Sequence, residues 1–184
     1  MNIKVLNDFT NHAPLVLIPV IQTDQIADQL KQFAFDYQLD TLILENEFKA
    51  DTKQTVTLFN AKAQKIVFLG LGKTVVSLDF IKIFRTYISQ NKAKLTDFVQ
   101  IDLRNFEPQI AEYVQNGIML GGYNLALYKT NEKSKNELFK KSSTIEILTN
   151  ADSKITANFV KRGKTIGKTQ LGIFDLMKDR KSVV

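Results

Sequence analysis

The chain has 184 residues, of which 44% are hydrophobic, and 25 lysine and arginine residues against 19 aspartate and glutamate residues give it a formal net charge of +6. This length and composition predict one soluble globular domain, or one domain with an appendage, and exclude wholesale disorder and a membrane span. The absence of cysteine excludes disulfides, thiolate zinc sites and cysteine nucleophiles, and with no basic leader at the start we expect a cytoplasmic location.

The first third of the chain is predicted to contain two strands, one helix and an irregular excursion. In chain order these are strands at residues 3–6 and 15–21, a helix at residues 24–37 and a polar, hairpin-like excursion at residues 45–53. Pro19 marks the second strand as an edge or irregular strand. The helix is predicted because apolar residues recur at steps of three and four, and Thr23 or Asp24 is placed to cap it. We expect the first two strands to add antiparallel partners to the sheet.

The chain is organised around residues 65–74, which follow a predicted strand at residues 54–60. Four consecutive apolar residues closed by a glycine pair predict a strand in the middle of the sheet, buried on both faces. A sharp turn then leads into a helix near Leu78, with Ser77 as its cap. The glycine spacing matches neither a dinucleotide fingerprint nor a phosphate loop.

The turn after this strand supplies the candidate ligand-binding residues, because backbone amides at a strand's carboxyl end can contact an anion. These residues are Gly70, Leu71, Gly72 and Lys73. The alternative, which we favour, is that the two glycines only permit a tight turn between buried elements.

The remaining two thirds alternate helix and strand, which predicts a mixed, largely parallel sheet with helices on both faces. In chain order the elements are a helix at residues 78–88, a strand at 97–103, a helix after Pro108, a strand at 144–148 and a helix opened by Asp152. Gly117 and Gly121, four apart on one helix, leave a flat strip where another backbone can approach. The apolar residues that the last helix is predicted to bury are Ile155, Phe159 and Ile166.

No residue pattern in the chain predicts catalysis. His12 is the only histidine, so any metal site would depend on carboxylates, and we interpret it as a surface residue. Without cysteine or a serine elbow, nucleophilic and metal-hydrolytic constellations cannot be assembled. Two carboxylate pairs, Glu45 with Glu47 and Asp36 with Asp40, are interpreted as surface residues. We therefore expect no catalytic residue, no metal and no cofactor.

Lysines cluster at residues 133–141 and again at residues 161–168. A basic strip can attract nucleic acid or an anionic surface. No aromatic-interleaved RNA motif, zinc finger or helix-turn-helix accompanies these lysines, so we interpret them as solvated faces and expect neither nucleic acid nor a membrane as a partner.

Three motifs follow one another in order: Glu47-Phe48-Lys49-Ala50, then residues 65–73, then residues 117–123 continued through 128–130. In order and separation they resemble the amino-terminal domain of the cytosol (leucyl) aminopeptidases, over roughly residues 3–163. The resemblance implies a macro-domain-like α/β fold, a three-layer sandwich, without catalytic residues. It also implies packing against a separate carboxyl-terminal domain that holds two metal ions and cleaves amino-terminal residues from peptides.

The resemblance sets the expected domain organisation and function. Residues 1–165 would form the domain and residues 166–184 a remnant of the interdomain helix and tail, with an unstructured end from residue 178. No catalytic motif of that metallopeptidase family follows Gly163, so we expect a fragment or a natural single-domain protein that is no enzyme by itself. Its expected role is domain packing or oligomer contacts, with a catalytic aminopeptidase domain or a second copy as partner.

The expected interface residues lie in and just beyond the strip formed by Gly117 and Gly121. They are Gly117, Gly121, Tyr123 and Tyr128. Two alternatives remain at this point. The chain could be a macro-like module that binds ADP-ribose, another nucleotide or an anion at the Gly70 to Lys73 turn, or a complete hydrolase with unrecognised chemistry.

Overall fold

A computed structural model describes residues 1–10, 12–123 and 137–181. Tyr128 and most of the lysine-rich segment before residue 141 lie outside the described residues. The strands are β1 (Asn2–Leu6), β2 (Leu15–Val20), β3 (Thr55–Phe59), β4 (Lys65–Gly70), β5 (Phe98–Asp102) and β6 (Thr144–Leu148). The α-helices are α1 (Ile26–Tyr37), α2 (Thr41–Glu47), α3 (Ser77–Gln90), α4 (Ile110–Gly122) and α5 (Ser153–Lys181). Short 3-10 turns cover Lys92–Lys94 and Glu137–Phe139.

The six strands form one sheet in the order β1-β6-β5-β2-β4-β3, and every neighbouring pair is parallel except β3 with β4. This confirms the predicted mixed, largely parallel sheet. The prediction that the first two strands run antiparallel to their neighbours is wrong. Only residues 60–64 join β3 to β4, too few for a crossover, so this pair must form a hairpin, whereas β1 and β2 pair with strands distant in sequence.

Strand β2 is internal, so its prediction as an edge strand is wrong. It lies between β4 and β5, and all six of its residues are buried. The carbonyl of Val20 accepts a hydrogen bond from Leu71 on the β4 side, so the nitrogen of Pro19 points toward β5. Pairing with β5 ends at Leu17, opposite Ile101. Pro19 therefore lies beyond that ladder, and its missing amide hydrogen costs no sheet hydrogen bond.

Strand β4 is buried on both faces as predicted, although it is the fifth strand of six rather than the middle one. One face packs under α1 and α2 through residues such as Ile66 and Phe68. The other face, with Val67 and Leu69, belongs to the larger core under α3, α4 and α5. The helices thus form an outer layer on each side of the sheet, and the α/β three-layer arrangement is confirmed.

Local capping differs from the prediction at three helices. The hairpin-like excursion is in part helix α2, because Oδ1 of Asp40 accepts a hydrogen bond from the Ile43 amide at 3.0 Å and starts a helical turn. Helix α1 begins after Gln25 with no side-chain cap. At α3 the Val76 amide donates to Oδ2 of Asp79 at 3.0 Å, so Ser77 is the first helical residue rather than the cap.

Helix α5 is continuous across residue 165 and includes residues 178–181, which were predicted to be unstructured. Its predicted cap is confirmed, since Oδ1 of Asp152 accepts hydrogen bonds from the amides of Lys154 and Ile155 at 2.8 and 3.0 Å. Its buried face was assigned wrongly. The buried residues are Thr156, Val160, Gly163 and Gly167, and those predicted to be buried are partly or largely exposed.

Two glycines explain why the other side of α5 faces the core. A Cβ at Gly167 would lie 2.6 Å from Cβ of Met119, and Gly163 meets the backbone of Glu112. Only glycine allows α5 to approach α4 this closely. Within the described ranges no helix, α5 included, is long and apolar enough to cross a membrane.

Candidate functional site

The side chains that were considered for catalysis are separated in the structure. The described residues contain no group of three or more histidine, aspartate and glutamate side chains that could hold a metal ion. His12 lies on an exposed loop, with Nε2 3.6 Å from Oε2 of the buried Glu146. Glu45 and Glu47 both belong to α2. His12 and Glu146 line a pocket of about 290 Å³ together with Asp97, apart from the two glutamates of α2.

The turn at Gly70 to Lys73 is held by hydrogen bonds within the chain. The amides of Gly70, Leu71 and Gly72 each donate to a backbone carbonyl, at 2.8 to 2.9 Å. Their acceptors are the carbonyls of Gln54, Val20 and Ala50. Gly72 has a φ of +83°, which explains why glycine is needed there. Three of the four candidate residues therefore have no amide hydrogen free for an anion.

A cavity of about 300 Å³ lies beside this turn, between α3 and the edge strand β3, and Gly70 and Leu71 are among its lining residues. Its polar lining includes Lys53 and the Asp79 to Lys82 ion pair, whose atoms are 3.5 Å apart. Tyr87 also lines it and is only 5% exposed. The Tyr87 hydroxyl has no hydrogen-bond partner among the described residues, and burial raises its pKa to about 12.

A buried ionic network, which was not predicted from the sequence, lies at the carboxyl end of β5. Arg104 donates from Nε and Nη2 to the carboxylate of Asp102, at 2.7 to 3.1 Å, and from Nη2 to Asp36 at 2.7 Å. The Tyr37 hydroxyl donates to Oδ2 of Asp102 at 2.9 Å. The Phe9 ring lies 4.8 Å from the guanidinium carbon.

The charges and hydrogen bonds of this network indicate a structural role. Burial, and then the charge of Asp102, raise the pKa of Tyr37 well above its ordinary value, so its proton stays in place as a donor. Burial disfavours the charge on Arg104, but its hydrogen bonds to Asp102 and Asp36 and the negative charge of Asp102 together outweigh that cost and raise its pKa. The network joins α1 to the end of β5 across the sheet.

An open crevice of about 530 Å³ adjoins this network at the carboxyl ends of β2 and β5. Here the strand order reverses, which is the usual position for ligands in open α/β sheets. Apart from Arg104, whose hydrogen-bonding nitrogens Nε and Nη2 bind carboxylates, its lining includes Ile21, Val76, Phe80 and Phe106. The crevice combines these apolar side chains with polar ones such as Glu107, beside the paired guanidinium.

The predicted glycine strip packs inside the domain. A Cβ at Gly117 would lie 2.7 Å from the carbonyl oxygen of Ile81, and one at Gly121 would lie 2.7 Å from Cβ of Ile88. Both glycines thus admit helix α3. The space next to them is already occupied, so these two positions offer no surface to an outside partner, and this part of the interface prediction is corrected.

Tyr123 lies at the end of α4 and contacts the far half of α5. Its hydroxyl donates to Oδ1 of Asp175 at 2.7 Å, and its ring centroid is 5.7 Å from that of Phe174. Tyr128, the fourth predicted interface residue, lies outside the described residues. The tyrosine therefore fastens one side of α5 to α4.

Next to its buried face, α5 carries an exposed apolar stripe, which we call the α5 surface. Its residues recur at spacings of four and seven along the helix, and several are half or more exposed, for example Ile173 at 50%. The stripe consists of Ile155, Phe159, Ile166, Ile173 and Met177. Arg162 lies beside it, 5.8 Å from the Phe159 ring and 3.2 Å from Glu112. The periodicity of these residues was visible in the sequence, although it was assigned to the core.

Comparison with known proteins shows similarity in fold alone. No protein-family model matches the chain, and no curated protein matches it in sequence. Among solved structures, a mutant of tomato leucine aminopeptidase has a TM-score of 0.72 and 15% identity over 91% of this chain. The bottromycin maturation enzyme BotP has a TM-score of 0.59 and 14% identity over 87% of this chain. The chain spans only 36% and 31% of these two proteins.

The structural matches support the resemblance to the amino-terminal domain of the leucyl aminopeptidases, whereas the macro-domain-like description stays a prediction. At 14 to 15% sequence identity, these matches show a similar fold only. About two thirds of each matched protein has no counterpart in this chain. The activities for which those two proteins are named are therefore activities of longer proteins.

Proposed function

We propose that this chain acts as a non-catalytic protein-interaction domain of the type found at the amino terminus of leucyl aminopeptidases. Its role is to pack against a catalytic domain or against other copies of the same chain. The observation that carries the proposal is the α5 surface, a row of exposed apolar side chains along a helix whose other side is tightly packed. Exposed apolar patches of this kind mark protein contacts more often than solvated faces. The cysteine-free composition suits a cytoplasmic setting.

The arrangement of polar groups supports a non-catalytic role. The carboxylates at the carboxyl edge of the sheet, Asp36 and Asp102, both form ion pairs with Arg104. A general base needs a carboxylate or imidazole within reach of a substrate proton, and a hydrolytic metal needs several convergent ligands. No group of three or more described histidine, aspartate and glutamate side chains could hold a metal ion. Of the carboxylates that line cavities, Asp79 beside the turn is paired with Lys82.

An activity assay tests this proposal directly. The purified chain is incubated with leucine-p-nitroanilide and excess zinc or manganese, and the expected result is turnover no faster than buffer with the same metal. The matched control is the same chain unfolded in urea and refolded, which removes a contaminating peptidase that fails to refold. Metal-dependent turnover that persists in the refolded chain would refute the non-catalytic role.

The alternative function, a nucleotide or anion module at the Gly70 to Lys73 turn, has weaker support because the amides of Gly70, Leu71 and Gly72 donate to backbone carbonyls. Calorimetry with ADP-ribose separates the two functions. We expect no heat of binding at high protein concentration. A dissociation constant in the low micromolar range would establish the alternative.

A further inference from the structure

The cavity beside the β4 turn is large enough for a small ligand. Its volume of about 300 Å³ is at the lower end of the range for ligand pockets, roughly 300 to 1,000 Å³. One wall is α3, whose lining residues recur at spacings of three and four from Asp79 to Gln90 and so share one side of the helix. The opposite wall includes Thr55 of β3, the last strand of the sheet. The lining positions on α3 extend over about 16 Å at 1.5 Å per residue, so the cavity is elongated.

Part of the cavity wall belongs to the apolar core. Leu71, Ile83 and Tyr87 are 3%, 9% and 5% exposed, and all three are members of the larger core cluster. An apolar ligand group that contacts these side chains is removed from water, which favours binding. The cavity therefore suits a ligand with an apolar body.

The hydroxyl of Tyr87 is buried but forms no hydrogen bond with any residue that the structure describes. Buried hydroxyls are almost always paired, because an unpaired one has lost its bonds to water without replacement. Burial raises the pKa of Tyr87 to about 12, so the hydroxyl keeps its proton near neutral pH and is available as a donor. An acceptor oxygen of a molecule in the cavity would satisfy it.

The charged side chains that line the cavity favour an anion. They are Lys53, Lys82 and Asp79, whose formal charges sum to +1. Lys82 lies 3.5 Å from Asp79, whereas Lys53 forms no ion pair within the described part of the chain. The amide of Lys53 donates to the carbonyl of Gly70 at 2.9 Å, which fixes Lys53 beside the carboxyl end of β4. One monovalent anion would balance the unpaired lysine.

We propose that this cavity binds a small carboxylic acid that has an apolar body and a second, uncharged oxygen, such as a hydroxy acid or an oxo acid. The carboxylate contacts Nζ of Lys53, the apolar body lies against Leu71 and Ile83, and the second oxygen accepts a hydrogen bond from Tyr87. A phosphate fits less well, because its charge exceeds that of a single unpaired lysine and the neighbouring turn amides are already bonded. The site is separate from the α5 surface and does not depend on the proposed interaction role.

Three matched compounds test the proposal in titrations of the full chain, followed by two-dimensional proton-nitrogen NMR. The compound 4-hydroxyphenylacetate carries all the proposed features, phenylacetate lacks the hydroxyl, and 4-hydroxyphenylacetamide lacks the charge. We expect 4-hydroxyphenylacetate to shift the amide resonances of Leu71, Ile83 and Tyr87 with a dissociation constant of about 1 mM or lower. The other two compounds are expected to bind at least about threefold more weakly.

Two variants assign the contacts. Tyr87→Phe should weaken binding of 4-hydroxyphenylacetate by about tenfold and leave binding of phenylacetate unchanged. Because the hydroxyl has no partner in the described chain, its urea midpoint at neutral pH should equal or exceed that of wild type. Lys53→Gln should weaken binding of the acid by about threefold to fivefold and leave the amide unaffected. The matched control is Lys62→Gln, an exposed lysine between β3 and β4 that does not line the cavity, and it should bind like wild type.

Three outcomes would overturn the proposal. The first is the absence of saturable shifts at the cavity with any of the three compounds, which would mean that the cavity holds only water. The second is equal affinity of the wild-type chain for the acid and the amide. The third is a folded Tyr87→Phe variant that binds 4-hydroxyphenylacetate as tightly as wild type.

Discussion

The turn after β4 and the α5 surface differ in whether their polar and apolar groups already have partners within the chain. At the turn, the amides of Gly70, Leu71 and Gly72 all donate to carbonyls of the same chain, and Leu71 is buried. Along α5, side chains such as Ile173 and Met177 are half exposed or more. The glycine turn was the candidate ligand-binding site in the sequence, but its hydrogen bonds are those of a structural turn. The apolar side chains that remain exposed to water lie on α5.

This difference shows where function is to be sought in a fold of this kind. A group whose hydrogen bonds or apolar contacts are complete gains little by binding a ligand, because binding would first break an existing interaction. An exposed apolar row gains free energy from any partner that removes it from water. Substitutions in one region, each with a matched substitution in the other, test this comparison.

The largest expected effect contrasts two leucines. Leu69 is fully buried in the strand that leads to the turn, and Leu176, close to the α5 surface, is 69% exposed. Leu69→Ala should lower the free energy of unfolding by about 2 to 5 kcal/mol, the range for buried leucines. Leu176→Ala should change it by about 0.5 kcal/mol or less. Urea midpoints measure both, and equal midpoints for the two variants would remove the distinction between the regions.

A contrast between glycines in two helices comes next. Gly121→Leu forces a side chain against Ile88 and should cost about 1 to 3 kcal/mol. The matched control is Gly172→Leu in α5, where a Cβ meets nothing within 4 Å. This control should gain up to about 1 kcal/mol from helix propensity. If Gly121→Leu unfolds at or above the wild-type midpoint, α4 is not packed on α3 at this position.

Alkaline pH tests the burial of Tyr87 beside the turn. Its pKa of about 12 in the folded state exceeds the ordinary value of 10.0, so folding retains its proton. This contribution is complete below pH 10 and is lost as the pH rises through 12, because the unfolded chain ionises first. Between pH 9 and pH 12 the loss should be about 2 kcal/mol. Tyr87→Phe should lack this loss, and identical pH profiles would contradict the burial.

Much of the fold could be predicted because its strongest signals are local. The apolar run of β4 is long enough to identify a strand buried on both faces, and Asp152 identifies the start of α5. Pro19 misled the assignment of β2, because its effect depends on where the neighbouring strand ends, a fact of tertiary structure. Helix α2 was missed because seven residues are too few to show a helical period.

The candidate site was harder to predict for two physical reasons. On α5, apolar residues were taken to face the core, but Gly163 and Gly167 face it because close helix packing favours the smallest side chains. At the end of β5, Arg104 binds Asp36, 68 residues earlier in the chain, and no local pattern reports such a pair. The local sequence signal for this network was limited to Asp102 at the end of a strand, with Arg104 two residues later.

The most direct test of the central claim is hydroxyl-radical footprinting at low and high protein concentration. If the α5 surface is the contact surface and the turn is not, Phe159, Ile173 and Met177 should become protected as concentration rises. Lys73 and Val76, exposed next to the turn, should react equally at both concentrations. Unchanged reactivity along α5, or protection confined to the turn, would contradict the account.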